Sequence, residues 1–236
     1  ITKITPNDKY EYLFGYYDKC PWDESGRYIL ALRVRSATKV ADSTEKAEVV
    51  VIDLENKNSI KKIAVTHSWN VQQGCMAQWI DENHILYNDF RDGTYCTVIK
   101  NIKSKEERII KKPVYTLSAD KKTALSLDFS RLHRLRPGYG YANLLDETEK
   151  EKCPDKTCIW KIDIQSGEIT PVLKYTDFIS FETRPEMKDA EHKVNHLMLA
   201  PNGKRFMVLH RWFKDGKKYT RLVTCNVDGT DMFNLS

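Results

Sequence analysis

Arginine, histidine and tyrosine side chains crowd together in residues 130–141 of the sequence. The residues there that could contact a ligand are Arg131, His133, Arg134, Arg136, Tyr139 and Tyr141. A guanidinium group binds a carboxylate at two points, and a tyrosine ring offers a sugar an apolar face. The pattern therefore favours binding of an acidic oligosaccharide. The alternative is that the arginines lie in a solvated loop while the tyrosines pack inside the fold.

Three further aromatic residues fit the same chemistry. Trp69 stands near a histidine and two glutamines, whose side chains can bond sugar hydroxyls, and Trp212 follows a histidine and an arginine. Tyr17 belongs to residues 14–19, which place two tyrosines beside an aspartate and a lysine in the first predicted strand. We predict that all three aromatic residues contact the ligand. A buried, hydrogen-bonded tyrosine network is the alternative for residues 14–19.

The elements that must position these residues repeat along the chain. Each repeat begins near an apolar strand end, turns through Asp, Asn, Gly or Ser, and continues into β-forming residues. The repeats start at residues 21–32, 78–88, 117–127 and 199–209. Each is followed by a second pair of strands with a polar turn, which predicts a four-stranded unit.

Polar residues at matching points of the second strand pairs give the length of the repeat. They are Asp53, Asn101, Asp163 and Asn226. The first two lie 48 residues apart, a spacing typical of propeller blades, and the wider later spacings indicate insertions. No stretch of 12 residues has helical apolar spacing, which leaves short helical turns in residues 144–152 and 184–192.

The sequence therefore predicts an all-β protein, a β-propeller whose repeats resemble the blades of TolB-like propellers. The predicted blades are residues 1–66, 67–113, 114–175 and 176–236. Four blades are expected to be part of a six- or seven-bladed ring in a longer protein. The two longest insertions fall in loops on one face of the blades, where long loops on a rigid scaffold favour a functional site.

Residues 195–212 and 221–231 resemble a blade of the oligogalacturonate lyases. A histidine stands at the start of the segment, a second histidine ends the next strand, and a strand of the type Arg-x-x-x-x-Asn-x-Asp-Gly follows. The preceding blade has the same layout, so the resemblance covers about residues 95–235. It implies a seven-bladed propeller that cleaves short pectin fragments by β-elimination.

Carried over by position, this resemblance implies catalytic roles for three residues. His196 would be the base or a substrate contact, His210 would lie near the metal face, and Arg221 would pair with a carboxylate. Removal of a proton beside a carboxylate needs a base and cations that stabilise the enolate. The family uses a divalent metal, usually manganese, and most of its metal-binding histidines would follow Ser236 in a complete parent protein.

Charge and hydropathy limit the partners. A net charge of +5, from 38 basic and 33 acidic residues, is too mild for a nucleic-acid-binding surface but permits a basic patch for an anion. No run approaches the roughly 18 apolar residues of a membrane helix. Gly-x-Ser-x-Gly, P-loop and dinucleotide-binding motifs do not occur. The expected partner is an acidic oligosaccharide or a protein, with neither nucleic acid nor a membrane span.

Six cysteines are too few for a disulfide scaffold in a chain of this length. Cys153 and Cys158 form the one close pair, which suits either a loop disulfide or free thiols, since zinc would need two more ligands. Cys96 and Cys225 lie in apolar runs typical of buried thiols. These thiols slightly favour a soluble, cytoplasmic protein, although the compartment stays open.

Three functions are open at this point. The first is a lyase or related enzyme that acts on acidic sugars, and the second is a non-catalytic propeller that binds a glycan or a protein. The third is a different propeller hydrolase or transferase, because a propeller fold alone specifies no activity.

Overall fold

Four antiparallel sheets of four strands each form the fold, in a computed structural model that describes residues 1–235. The first sheet contains β1 (Glu11–Leu13), β2 (Tyr28–Val34), β3 (Ala47–Asp53) and β4 (Ser59–Thr66). The second contains β5 (Gln78–Trp79), β6 (His84–Arg91), β7 (Thr94–Asn101) and β8 (Glu107–Ile110). Within each sheet, consecutive strands are hydrogen-bonded neighbours.

The remaining sheets have the same meander order. The third contains β9 (Thr116–Leu117), β10 (Thr123–Leu127), β11 (Thr157–Asp163) and β12 (Ile169–Lys174). The fourth contains β13 (Glu191–Leu199), β14 (Arg205–Lys214), β15 (Lys217–Asn226) and β16 (Phe233–Asn234). Each sheet lies inside one of the four predicted blade segments. The predicted all-β, propeller-type fold is confirmed.

Continuous apolar runs make the central strands of the first sheet suitable for burial on both faces. Leu30, Leu32 and Val49 belong to one hydrophobic cluster, which also includes side chains of the second sheet. Ile29 and Val50 point to the other face and join a smaller cluster. Because β-branched and aliphatic residues fit the pleated surface of a strand, this pattern specifies both strand type and register.

The four polar residues that set the sequence repeat all end the third strand of their sheets. Asn101 accepts hydrogen bonds through Oδ1 from the backbone N–H groups of Lys103 (2.8 Å) and Ser104 (2.9 Å). Asp163 Oδ1 accepts one from Ser166 N (2.7 Å). Such bonds from a side chain to the following backbone close a turn, which explains why Asp or Asn recurs at this point.

Two short helices interrupt the strands, α1 (Phe129–Leu135) and α2 (Tyr175–Ser180). The helical turn predicted in residues 184–192 is present as a 3₁₀ turn, Pro185–Met187, whereas residues 144–152 contain hydrogen-bonded turns but no helix. There, Asp146 Oδ1 accepts bonds from the backbone N–H (2.8 Å) and hydroxyl (2.6 Å) of Thr148, and these bonds stabilise a turn. None of the helices between residues 1 and 235 has the length and apolar character needed to cross a membrane.

The chain divides into two compact units. Unit 1 comprises Ile1–Pro113 with Arg136–Leu144, so it holds the first two sheets and part of the long insertion that follows β10. Unit 2 comprises Val114–Leu135 and the chain from Leu145 onward, with the third and fourth sheets.

Gly229 stands at a hairpin position where a side chain would collide with the backbone. Its φ is +87°, and a Cβ there would lie 2.6 Å from the Val172 carbonyl oxygen. We expect Gly229→Ala to lower the free energy of unfolding by about 2 kcal/mol, through backbone strain and this contact. Gly216 is the matched control, because its φ is +72° and a Cβ would meet nothing within 4 Å. Urea denaturation should show a clearly smaller loss for Gly216→Ala, and equal losses would contradict the collision.

Candidate functional site

In unit 1, residues 136–144 run beside the loop formed by residues 67–74. At one end, a Cβ on Gly138 would lie 3.9 Å from the side chains of both Val71 and Gln72. Further along, the Ser68 hydroxyl donates to Asn143 Oδ1 at 3.4 Å. The two loops therefore support each other, and the predicted ligand contacts in both of them belong to the same unit.

Arg136 forms the centre of a cluster of aromatic rings in unit 1. Its guanidinium carbon lies 4.1 Å from the ring centroid of Tyr139, and Nη2 donates to the Tyr139 hydroxyl at 3.1 Å. The Tyr16 ring meets Tyr139 edge to face, with centroids 6.3 Å apart. The ring centroid of Tyr17 lies 4.3 Å from that of Tyr16, and Tyr17 is 73% exposed. We call these four residues the Arg136 cluster; they combine a cation with accessible aromatic surface.

The tyrosines of the Arg136 cluster follow a strand rather than forming one. Residues 14–19 were predicted within the first strand, but β1 ends at Leu13, so this prediction is wrong. The chain turns there, with a hydrogen bond from Lys19 N to Tyr16 O (3.0 Å) and an ion pair between Lys19 and Asp18 (2.5 Å). Burial raises the pKa of Tyr16, so its hydroxyl stays protonated at neutral pH and can donate a hydrogen bond.

Two other predicted ligand contacts of unit 1 lie in its interior. Trp69 is 5% exposed, and its Nε1 donates to the Glu45 carbonyl at 3.1 Å. Tyr141 is fully buried, and its hydroxyl accepts a bond from Asn88 Nδ2 at 2.9 Å. In this structure both side chains hold the loops in place rather than face solvent.

The predicted arginines of unit 2 have internal partners. Arg131 is fully buried and donates to the carbonyl oxygens of three residues, His192, Thr148 and Lys152. Arg134 is partly exposed and pairs with Asp146 (2.7 Å) and Glu191 (2.6 Å). His133 is half-buried on the same helix, α1. Of the arginines predicted in residues 130–141, Arg136 is thus the one placed in an open aromatic cluster.

His210 and Arg221, two of the predicted catalytic residues, lie in the interior of unit 2, and neither side chain is exposed. Arg221 Nε donates to His210 Nδ1 at 3.1 Å, and Arg221 Nη2 donates to the Phe178 carbonyl oxygen. His210 Nε2 lies 2.9 Å from His192 Nδ1, and His192 Nε2 lies 3.0 Å from the Met187 carbonyl oxygen. The contacts form one continuous hydrogen-bonded chain.

The donor at one end of this chain, Arg221, and the acceptor at the other, the Met187 carbonyl oxygen, determine both histidine tautomers. A guanidinium only donates, so His210 Nδ1 must accept and Nε2 must carry the proton. That proton is donated to His192 Nδ1, whose other nitrogen then donates to the Met187 carbonyl oxygen. Burial lowers the pKa of both histidines, which are neutral at pH 7. Burial also lowers the pKa of Arg221 to about 10, which leaves it charged.

This hydrogen-bonded chain does not fit the metal that the lyase resemblance implies. A histidine ligates a metal through a ring lone pair, and the lone pair of His210 is already directed at Arg221. Within residues 1–235, no group of three or more His, Cys, Asp or Glu side chains is placed to hold a metal ion. A manganese site therefore stays a prediction for a longer parent protein.

Trp212 is also internal, since it is 1% exposed and stacks on Tyr219 with ring centroids 5.6 Å apart.

His196, in contrast, is half-buried in a β-bulge of β13, where its φ is +54°. Met76 has φ +56° two residues before the pair Gln78–Leu86, as His196 lies two residues before the pair Met198–Met207. The repeat therefore includes this left-handed residue, and a bulge directs a side chain out of the regular alternation.

All six cysteines have free thiols, so no loop disulfide joins Cys153 to Cys158. Burial raises the pKa of the Cys153 thiol to about 11, which keeps it protonated and poorly nucleophilic. Cys153 therefore adds no reactive thiol to unit 2 at neutral pH.

Two polar residues with prominent roles were absent from the predicted site. His67 pairs with Asp89 in unit 1, and His192 completes the hydrogen-bonded chain of unit 2. His192 lies in β13, at the end of the segment predicted to contain a short helical turn. His192 lies directly opposite Trp212 in the register of β13 and β14. This pairing would have identified it, but it becomes visible only once the two strands are paired.

Solved structures that resemble the chain include TolB, a hydrolase and a β-propeller domain. TolB from Acinetobacter baumannii aligns over 96% of this chain and 44% of its own length, with a TM-score of 0.52 and 9% identity. Puromycin hydrolase aligns over 90% of this chain and 27% of its own, with a TM-score of 0.49 and 9% identity. The β-propeller domain of the Trilobed protease from Pyrococcus furiosus aligns over 94% and 71%, with a TM-score of 0.39 and 11% identity.

The likeness to TolB shows a TolB-like propeller fold and no more, since 9% identity carries no activity. The chain spans less than half the length of that TolB structure. No protein-family model and no curated protein matches the sequence.

Proposed function

We propose that this propeller binds an acidic oligosaccharide through the Arg136 cluster. The observation that carries the proposal is the seating of the Arg136 guanidinium 4.1 Å from the Tyr139 ring, beside the exposed ring of Tyr17. A guanidinium held in place by an aromatic face loses less freedom when it binds a carboxylate, and the adjacent rings can pack against sugar C–H groups. The net charge of +5 favours an anionic ligand.

The proposal is for binding rather than cleavage. His210 and Arg221 would assist an elimination, but both side chains are bonded to other buried groups. His196 is half-buried in the bulge of β13 and stays the candidate base of the lyase hypothesis. Ultraviolet absorbance of an unsaturated product, measured with and without manganese, tests that hypothesis separately from binding.

Substitution of Arg136 by glutamine tests the binding proposal. We expect Arg136→Gln to weaken the affinity for digalacturonate about 10- to 100-fold, because a charge-assisted hydrogen bond to the carboxylate is lost. Affinity for neutral galactobiose should hardly change. Isothermal titration calorimetry of both ligands against wild type and variant measures the difference.

Arg35 supplies the control, because it is an exposed arginine of unit 1 outside the cluster. Arg35→Gln should bind digalacturonate like the wild type. Equal affinity of the wild type for the acidic and neutral disaccharides, or no binding of either, would overturn the proposal. In the second case the protein-binding alternative gains weight.

A further inference from the structure

His67 and Asp89 form a histidine–carboxylate pair in unit 1, outside the Arg136 cluster. Asp89 lies near the end of β6 and is 2% exposed. Its Oδ1 accepts bonds from the backbone N–H groups of His67 and Phe90, both at 2.8 Å, and its Oδ2 accepts from Arg91 Nε at 2.8 Å. The His67 ring nitrogen Nδ1 lies 3.2 Å from Asp89 Oδ1. The carboxylate is thus fixed on several sides.

The pair determines which nitrogen of His67 can accept a hydrogen bond. The two Asp89 side-chain oxygens already accept three N–H groups, so His67 Nδ1, 3.2 Å from Oδ1, is the donating nitrogen and Nε2 carries the lone pair. The side chain of His67 is 38% exposed, and no residue described in the structure is bonded to Nε2. The result is an oriented acceptor whose partner must come from solvent or from a ligand.

A second histidine–carboxylate pair in unit 1 shows the closed form of the same arrangement. His84 Nδ1 lies 2.9 Å from Asp81 Oδ1, and the His84 side chain is 39% exposed. Its Nε2, however, lies 3.2 Å from Asn101 Nδ2, a donor. The His84 pair therefore stabilises a turn, whereas Nε2 of His67 is an acceptor with no donor among the described residues.

His67 begins the loop that runs beside residues 136–144, the segment that contains Arg136 and Tyr139. In the same loop, Asn70 Oδ1 accepts from Gln73 N at 2.7 Å, while Asn70 Nδ2 is buried with no partner among the described residues. A buried amide donor without a partner indicates that water or a ligand group approaches this loop.

We infer that His67 Nε2 accepts a hydrogen bond from a hydroxyl group of the bound acidic saccharide. Asp89 acts as the positioning residue, since it holds the ring and its tautomer. The inference rests on the proposed binding function and adds a hydroxyl contact to the carboxylate contact of Arg136. A carboxylate contact alone also fits a simple anion. The added hydroxyl contact is what distinguishes a uronic-acid sugar from such an anion.

Two substitutions separate the two nitrogens of His67. An asparagine amide reaches the place of Nδ1, so His67→Asn keeps the bond to Asp89 and removes the outward acceptor. A glutamine amide reaches the place of Nε2, so His67→Gln supplies an acceptor oxygen there. We expect His67→Asn to bind digalacturonate about 3- to 10-fold more weakly than the wild type, and His67→Gln to recover part of that loss. His84→Asn should have no effect on the affinity.

Calorimetry of these variants and nitrogen-15 NMR of the wild-type histidines complete the test. NMR should show a protonated Nδ1 and a bare Nε2 on His67, and the opposite tautomer would overturn the inference. Unchanged affinity in His67→Asn, together with weakened binding in Arg136→Gln, would overturn it while the proposed function stands. Failure of the wild type to bind digalacturonate would overturn both.

Discussion

Arg131→Met is expected to lower the free energy of unfolding by about 3–5 kcal/mol, the loss typical of a broken buried polar network. Arg131 is fully buried, and its Nε donates to the His192 carbonyl oxygen at 2.8 Å. Its other donors reach the carbonyl oxygens of Thr148 (3.1 Å) and Lys152 (2.8 Å). Methionine fills a similar volume but leaves these acceptors buried without a donor.

Arg134→Met is the matched control, since Arg134 lies on the same helix and is partly exposed. Its loss should be smaller, about 1–2 kcal/mol, because Asp146 keeps its bonds from Thr148 and lies 3.5 Å from Arg131. Urea denaturation followed by circular dichroism gives both values. Arg131→Lys should lie between wild type and Arg131→Met, because lysine keeps the charge but has no planar fork. Similar stabilities of the two methionine variants would contradict the cross-linking role of Arg131.

The fold could be predicted from the sequence because its signals are local. Asn101 and Asp163 close turns through bonds to the next few backbone N–H groups, so the same residue types recur wherever the turn recurs. Runs of β-forming residues after a polar turn likewise predict strands without knowledge of their partners. Both signals act within a few residues, which is why the four sheets fall inside the predicted segments.

The roles of the site residues depend on tertiary contacts and could not be read in the same way. Arg131 and Arg136 are five residues apart with identical side chains, yet Arg131 is a buried cross-link on α1 and Arg136 lies on an aromatic face beyond it. The difference arises because α1 ends at Leu135, and the chain beyond it packs with unit 1. Composition marked the segment, but only packing separates the arginine that lies in an aromatic cluster from the one that stabilises the fold.

Acidification from pH 7.5 to 5.5 is expected to lower the free energy of unfolding through His192 and His210, by about 2–3 kcal/mol at most. Burial lowers the pKa of both residues, and Arg131, Arg184 and Arg221 also disfavour a positive charge there. The unfolded chain therefore takes up more protons than the folded chain below about pH 6.5, the ordinary histidine pKa. Stability is fully present above that pH and falls below it, with a limiting slope of about 1.4 kcal/mol per pH unit for each histidine.

The hydrogen-bonded chain supplies the structural reason for this direction. A proton added to His192 Nδ1 would face the proton already on His210 Nε2, which is only 2.9 Å away. A proton added to His210 Nδ1 would face the Arg221 guanidinium at 3.1 Å. Neither histidine can therefore become charged without breaking a buried bond, so the native state excludes the proton until it opens.

Urea midpoints of the wild type, His210→Gln and His84→Gln at pH 7.5 and 5.5 test this expectation. His210→Gln disturbs the buried hydrogen bonds of His210, so it should be less stable than the wild type at pH 7.5. Because glutamine takes up no proton, the variant should lose about half as much stability as the wild type between the two pH values. His84→Gln should retain the wild-type pH dependence, because His84 lies in unit 1 at a partly exposed turn. A wild-type stability that is flat, or that rises, between pH 7.5 and 5.5 would show that the buried pair accepts a proton in the folded state.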